Sequence, residues 1–249
     1  MQTYIYISDN DFTLFPSTGL FPDPDLYPDG GQYLDTIVAG SIKLDKMLYD
    51  NDFKFGTMCS DKFEITVYDV GDLAGKYIYV YQLDQGVYTG LFSGKIESSK
   101  LDRLGIDRQV VAYDMAYWLR NQNVATWYNN FWNNRQTATL KQLRDSLCEY
   151  MLNYGGITRY ENVVLPNDDL VLSKTMDFSE VSFGDMMAVI GELNCCFPHF
   201  NEYGELEFII FNVEDNPYSL SGNLEGENCK FEDYITIPMT GVTFSDSTD

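Results

Sequence analysis

The sequence predicts an α+β protein: a β-rich first half that makes a small barrel or sandwich, followed by helices and a hairpin. Three observations predict it. Short segments of period-two alternation recur between Ile37 and Tyr113, with turns between them. After Tyr113 the period changes, and apolar residues recur at helical spacing. Two helix-start signals, Thr139-x-x-Gln142 and Ser182-x-x-Asp185, stand directly before the clearest apolar stripes.

Taken in order, Tyr4-Ile5-Tyr6-Ile7 is a short strand. Residues 15–31 carry Pro16, Pro22, Pro24 and Pro28 with Gly19, Gly30 and Gly31, which predicts an extended arm because proline lacks a ladder donor. Its run from Asp23 to Gly30 resembles a calcium loop, but the spacing fails: positions 5, 6 and 12 are Tyr27, Pro28 and Leu34. Phe63 to Asp69 alternates, and so does Lys76 to Leu83, with tyrosines on one face and Ile, Val and Leu on the other. Asp84-Gln85-Gly86 turns the chain into Val87–Ile96, where Gly90 and Gly94 predict bulges or tight bends. Arg108–Tyr113 is the next strand.

Asp114–Arg120 reads as a short helix, and 121–134 is an uncharged stretch rich in Asn and aromatics until Arg135. The helix opened at Thr139 carries Leu140, Leu143, Leu147 and Met151 on one face and stops at Gly155-Gly156. The helix opened at Ser182 carries Phe183, Met186, Met187, Ile190 and Leu193 or Asn194. A hairpin follows: Phe197–Phe200, the turn Asn201–Gly204, then Glu205–Phe211. Residues 235–244 are again strand-like, and the sequence is expected to stop at the start of a further domain.

Composition excludes several functions. The net charge is −22, from 16 Lys and Arg against 38 Asp and Glu. Proteins that coat nucleic acid neutralise phosphates with basic residues, so tight nucleic-acid binding is not expected. Docking on an anionic membrane is disfavoured for the same reason, and no apolar run is long enough for a membrane span. The acids are unevenly placed: residues 43–174 are nearly neutral, and the two flanking segments hold 21 of the 38 acids. The plain reading is a solvated acidic surface; the sharper one is a surface that must not adsorb a polyanion.

The start lacks the basic region of a signal peptide, and the five cysteines are irregularly spaced, which predicts a reduced protein. Cys195-Cys196-x-x-His199 lacks the further ligands a zinc site needs. His199, the only histidine, reads as a structural residue on a strand. No dinucleotide, P-loop, HExxH or GxSxG motif occurs. Carboxylate pairs such as Asp9/Asp11 and Glu205/Glu207 follow from composition, and Glu205 and Glu207 read as the solvent side of their strand. No catalytic, cofactor-binding or metal-binding residue is assigned, and no cofactor is expected.

Three stretches carry a family resemblance. The first is Phe53-Lys-Phe55-Gly56-Thr57 with Phe63–Asp69, leading to Gly90-Leu-Phe92-Ser-Gly94-Lys-Ile96. The second is Val110-Val-Ala-Tyr-Asp114 running into Ala116-Tyr-Trp-Leu119. The third is Val181-Ser-Phe-Gly-Asp185-Met-Met with Ile190-Gly-Glu-Leu193 and Phe200–Phe208. In order and spacing the chain resembles the hub, or tail-tip, family of tailed bacteriophages, which includes prophage tail proteins that bear an endopeptidase or lysin farther along.

The resemblance implies a small β-barrel hub domain with an inserted helical α/β domain and part of a second barrel. On that scheme 1–36 is a strand and arm, 37–120 the barrel, 121–215 the insertion with helices 139–154 and 183–195 and hairpin 197–211, and 216–249 the return strands and the start of a truncated domain. It implies a structural tail component, assembled in the bacterial cytoplasm and located in the virion tail. Its partners would be other phage tail proteins and two further copies, as a homo-trimer whose ring passes DNA, with no catalysis and no membrane insertion. An acidic lumen would repel the DNA it passes. The alternative is a carbohydrate- or receptor-binding module at a tail tip or cell surface, with Tyr77, Tyr79, Tyr81, Trp118, Trp127 and Trp132 as candidate stacking platforms. A third reading is a hydrolase fragment that uses Asp/Glu pairs.

Overall fold

The computed structural model describes residues 2–9, 32–34, 36–48, 54–68, 71–85, 87–133, 135–157, 159–174 and 176–210. The arm 15–31 and the strand-like 235–244 lie outside them.

Seven strands form one sheet: β1 (Gln2–Ser8), β2 (Gln32–Tyr33), β3 (Lys43–Asp45), β4 (Lys62–Tyr68), β5 (Tyr77–Asp84), β6 (Val87–Leu101) and β7 (Asp107–Tyr113). The order across the sheet is β2-β1-β5-β6-β7-β4-β3, and every neighbouring pair is antiparallel. The expected β-rich half is therefore an antiparallel sheet, and β1 lies inside it beside β5. The segment that carries β2 and β3 reaches both ends of this order. Leu34 N donates to Ile5 O (2.9 Å), Val38 N donates to Thr66 O (3.0 Å), and Tyr68 N donates to Thr36 O (2.9 Å).

Alternation places one residue set inward. Ile5, Ile7, Phe63, Ile65, Val67, Ile78, Val80, Phe92, Ile96, Val110 and Ala112 pack as one core. Burying a large aliphatic or aromatic side chain in such a core is worth roughly 1.5–3 kcal/mol. The tyrosine face of β5 is not simply the wet one: Tyr79 and Tyr81 are buried, and Tyr81 stacks on Tyr4 at 5.4 Å. The bulges fall beside the predicted glycines rather than on both of them. Leu91, next to Gly90, is the extra residue against β5, and Glu97 is the extra residue against β7. Gly94 instead allows close backbone approach, since a Cβ there would overlap the Tyr113 carbonyl.

The remainder has its own apolar core, built from α1 (Met115–Leu119), α2 (Ala125–Trp132), α3 (Leu140–Tyr150) and α4 (Phe183–Asn194). Two short ladders accompany them, β8 (Thr137–Thr139) with β9 (Val171–Ser173), and β10 (Cys196–Phe200) with β11 (Leu206–Ile210). Both capping boxes form: Thr139 and Gln142 exchange bonds at the start of α3, and Ser182 and Asp185 do so at the start of α4. α3 widens into a π turn over Met151–Gly155 and stops at Gly156, whose φ is 92°. Of the two candidates at the end of α4, Asn194 is the buried one. Its amide donates to Ile190 O and its carbonyl accepts from Asn167 N.

α2 arises in the stretch that carried no helix prediction. Asparagine and aromatic residues are poor helix formers, and tertiary packing overrides that preference. Trp127, Tyr128, Phe131 and Trp132 are all buried, and Trp127 Nε1 donates to Ser146 Oγ on α3 at 3.2 Å.

Candidate functional site

A buried polar cluster lies where the sheet meets the β10–β11 hairpin. Asp61 precedes β4 and Asp114 follows β7, so antiparallel pairing of these strands brings them together. They bond reciprocally: Asp61 N donates to Asp114 Oδ2 (3.0 Å), and Asp114 N donates to Asp61 O (3.2 Å). Asp61 Oδ1 accepts from Met47 N (3.0 Å), and Asp114 Oδ1 caps α1 through Tyr117 N (3.4 Å).

His199 enters from β10. Its Nε2 lies 3.5 Å from Asp61 Oδ2 and its Nδ1 lies 3.2 Å from Glu207 Oε1. Glu207 is its direct cross-strand partner, so it is not on a purely solvent side as expected. Glu205 is also engaged, accepting from Arg159 at 2.7 Å. Burial alone would lower the His199 pKa, but its bonds to Asp61 and Glu207 raise it to about 9. Burial pushes Asp114 up to about 6, against the bonds it accepts.

Both ring nitrogens of His199 face carboxylates that favour the protonated ring, an arrangement that suits a buried ion bridge better than a general base. A Cys–His pair is not assembled: the same nitrogens are taken, and burial pushes the Cys196 thiol up to about 12. Burial likewise pushes Cys148 up to about 12. Among the described residues no group of three or more His, Cys, Asp or Glu is placed to hold a metal ion. No helix among them is long and apolar enough to cross a membrane.

The junction has a pH signature. A raised histidine pKa stabilises the folded state fully below the ordinary value of 6.5, and this contribution is lost as the pH climbs through about 9. The Asp114 contribution has the same sign at lower pH, complete below 3.8 and lost as the pH rises through about 6. We expect Tm to fall by roughly 5 °C across the histidine window. His199→Gln should flatten that window and leave the Asp114 part of the curve. A wild-type Tm that is level across the histidine window would refute the arrangement.

Of the aromatics considered as stacking platforms, Tyr79, Tyr81, Trp127 and Trp132 are buried and cannot serve. Trp118 is 36% exposed, and Lys95 Nζ lies 5.3 Å from its ring centroid and 5.4 Å from that of Tyr77. A cleft of about 400 Å³ opens between residues 54–58 and the start of α4. Its charged groups already have partners: Lys54 with Glu192 at 2.6 Å, Asp185 with Ser182, and Arg120 over the Tyr117 ring.

No protein-family model matches the chain, and no curated protein matches it. Solved structures do. The tail protein from Neisseria meningitidis MC58 is 16% identical, with a TM-score of 0.40 over 60% of this chain and 41% of that one. The prophage MuSo2 43 kDa tail protein from Shewanella oneidensis is 12% identical, with a TM-score of 0.41 over 61% of this chain and 47% of that one. Prophage tail protein gp18 from Listeria monocytogenes EGD-e is 10% identical, with a TM-score of 0.43 over 83% of this chain and 50% of that one. The chain thus spans half or less of the length of each of these similar structures.

Proposed function

We propose that this chain is a structural component of a phage tail tip: a hub protein that connects the tail tube to the distal tip and lets DNA pass, without catalysis or cofactor. The observation that carries the reading is the order of elements. An antiparallel sheet is followed by a helical unit with its own core and the β10–β11 hairpin, on the residues where the sequence resembles the hub family. The two-ended pairing of residues 32–45 supports closure of the sheet into the small barrel such a hub uses. The same proposal divides the chain into a barrel and an insertion, with β1 part of the barrel. Location in the virion tail, other tail proteins as partners and a trimeric ring belong to the same proposal.

The second reading, a carbohydrate- or receptor-binding module, has one surface in its favour, the Trp118–Lys95 cluster. Binding on a glycan array would favour this second reading, and antibodies raised against the chain test the first. On tailed particles induced from cells that encode it, they should label the tail tip by immunogold electron microscopy. Tailed particles that carry no label would refute the hub reading.

A further inference from the structure

Strand β10 is buried on both faces, and the two faces meet different parts of the protein. Cys196 and Phe200 face one way and, with Leu206 and Phe208 across the ladder, belong to the apolar core of the helices. Phe197 and His199 face the other way, with Ile209 and Glu207 opposite them. On that side the Phe197 ring lies 5.3 Å from that of Phe55, and His199 lies against Asp61. The turn of the hairpin rests on β6. A Cβ on Gly90 would come within 3.0 Å of the Tyr203 ring, and one on Gly204 within 2.9 Å of Ser93 Oγ.

Three carboxyl groups from three segments act on the His199 ring: Asp61 before β4, Asp114 before α1 and Glu207 on β11. Among the described residues no lysine or arginine pairs with any of them. The other acids of the hairpin are held elsewhere. Glu205 pairs with Arg159, and Glu202 meets Lys46 at 3.4 Å in an exposed pair that contributes little. A protonated ring has two N–H donors and serves Asp61 and Glu207 at once. A neutral ring has one N–H and one bare nitrogen, so it turns a lone pair on one of the two carboxylates.

We propose that His199 is a proton-held clasp between the hairpin and the sheet: when the ring loses its proton, the sheet-facing side of the hairpin lifts from Asp61, while the helix-facing side stays in its core. In the open form the ring titrates at its ordinary value of 6.5, and in the clasped form at about 9. Opening therefore grows as the pH rises between these values and levels off above them. The Asp114 contribution is lost by about pH 6, below this window. The clasp is independent of the tail-tip reading.

Thiol alkylation of the full chain from about pH 7 to about pH 9, resolved by peptide mass spectrometry, tests the clasp. Cys59, buried two residues before Asp61, reports the joint. Cys148, buried in α3, reports global unfolding, and the exposed Cys195 reports the pH dependence of the thiol chemistry. Cys59 should react about tenfold or more faster than Cys148, and its rate relative to Cys195 should rise about tenfold or more across the series. Glu207→Gln removes a carboxylate that favours the protonated ring, so its rise should be smaller and level off at a lower pH. His199→Gln should abolish the rise. Should that variant unfold, Cys148 would react as fast as Cys59, and Glu207→Gln, at a side chain 29% exposed, carries the test. Equal rates at Cys59 and Cys148 in the wild type, a Cys59 rate that only tracks Cys195, or a rise in either folded variant that matches the wild type would overturn the proposal.

Discussion

Gly56→Ala should destabilise the protein by about 3 kcal/mol, lowering Tm by roughly 10 °C. Gly56 has a φ of +81°, where an L side chain is strained. A Cβ there would also overlap the Ala188 carbonyl oxygen and come within 2.9 Å of Glu192 N. These are backbone atoms of α4, so no side-chain rotation relieves the contact. The approach is mutual: a Cβ on Gly191 would lie 2.5 Å from Gly56 Cα, 2.9 Å from Cys196 O and 3.0 Å from Pro198 Cδ. Gly56 N also donates to Cys196 O at 2.9 Å, which fixes the segment against β10. Gly40→Ala is the control. Gly40 has a similar positive φ, +75°, but its Cβ would meet nothing within 4 Å, so it should show the conformational cost alone, about 1 kcal/mol. Equal losses at the two sites, measured by denaturant unfolding, would show that the close approach to α4 contributes nothing.

Which parts of this molecule the sequence reveals depends on how local their causes are. The strands around Ile65 and Val110 are legible because inward and outward residues alternate against water, and the starts of α3 and α4 because Thr139 and Ser182 satisfy backbone donors within one turn. α2 is not legible, since its helical state depends on burying Trp127 and Phe131 against segments far along the chain. The junction is half legible. That His199 lies on a hairpin strand could be read from the turn signal at 201–204, but its partner could not: a four-residue turn would set His199 opposite Leu206, and the observed register pairs it with Glu207. Nor could Asp61 and Asp114, because they meet only through the β4–β7 ladder. Gly56 and Gly191 look like ordinary punctuation until the loop and α4 are seen to touch.

Arg144 is a charged residue whose burial is legible in the sequence. It lies four residues after Leu140 and three before Leu147, on the apolar stripe of α3, where a charge must be paired or be very costly. Its side chain is 2% exposed. Nη1 donates to Asp168 Oδ1 (2.7 Å), Nε to Asp145 Oδ1 (3.0 Å) and Nη2 to Val163 O (3.0 Å). Asp168 Oδ2 in turn accepts from Leu165 N (3.0 Å), so the pair ties the loop 163–168 to the helix. Removing one partner leaves the other buried and uncompensated, which costs about 3–5 kcal/mol. Asp168→Leu should therefore lower stability by that amount, as should Arg144→Met. Removing both should not double the loss, because the ion pair itself gains little over apolar groups of similar volume once desolvation is counted. In a double-mutant cycle read by denaturant unfolding, Arg144→Met/Asp168→Leu should come within about 2 kcal/mol of the wild type. Additive losses in that cycle would mean that each residue acts through separate contacts, with Arg144 held by Asp145 and Val163 and the pairing with Asp168 incidental to the helical core.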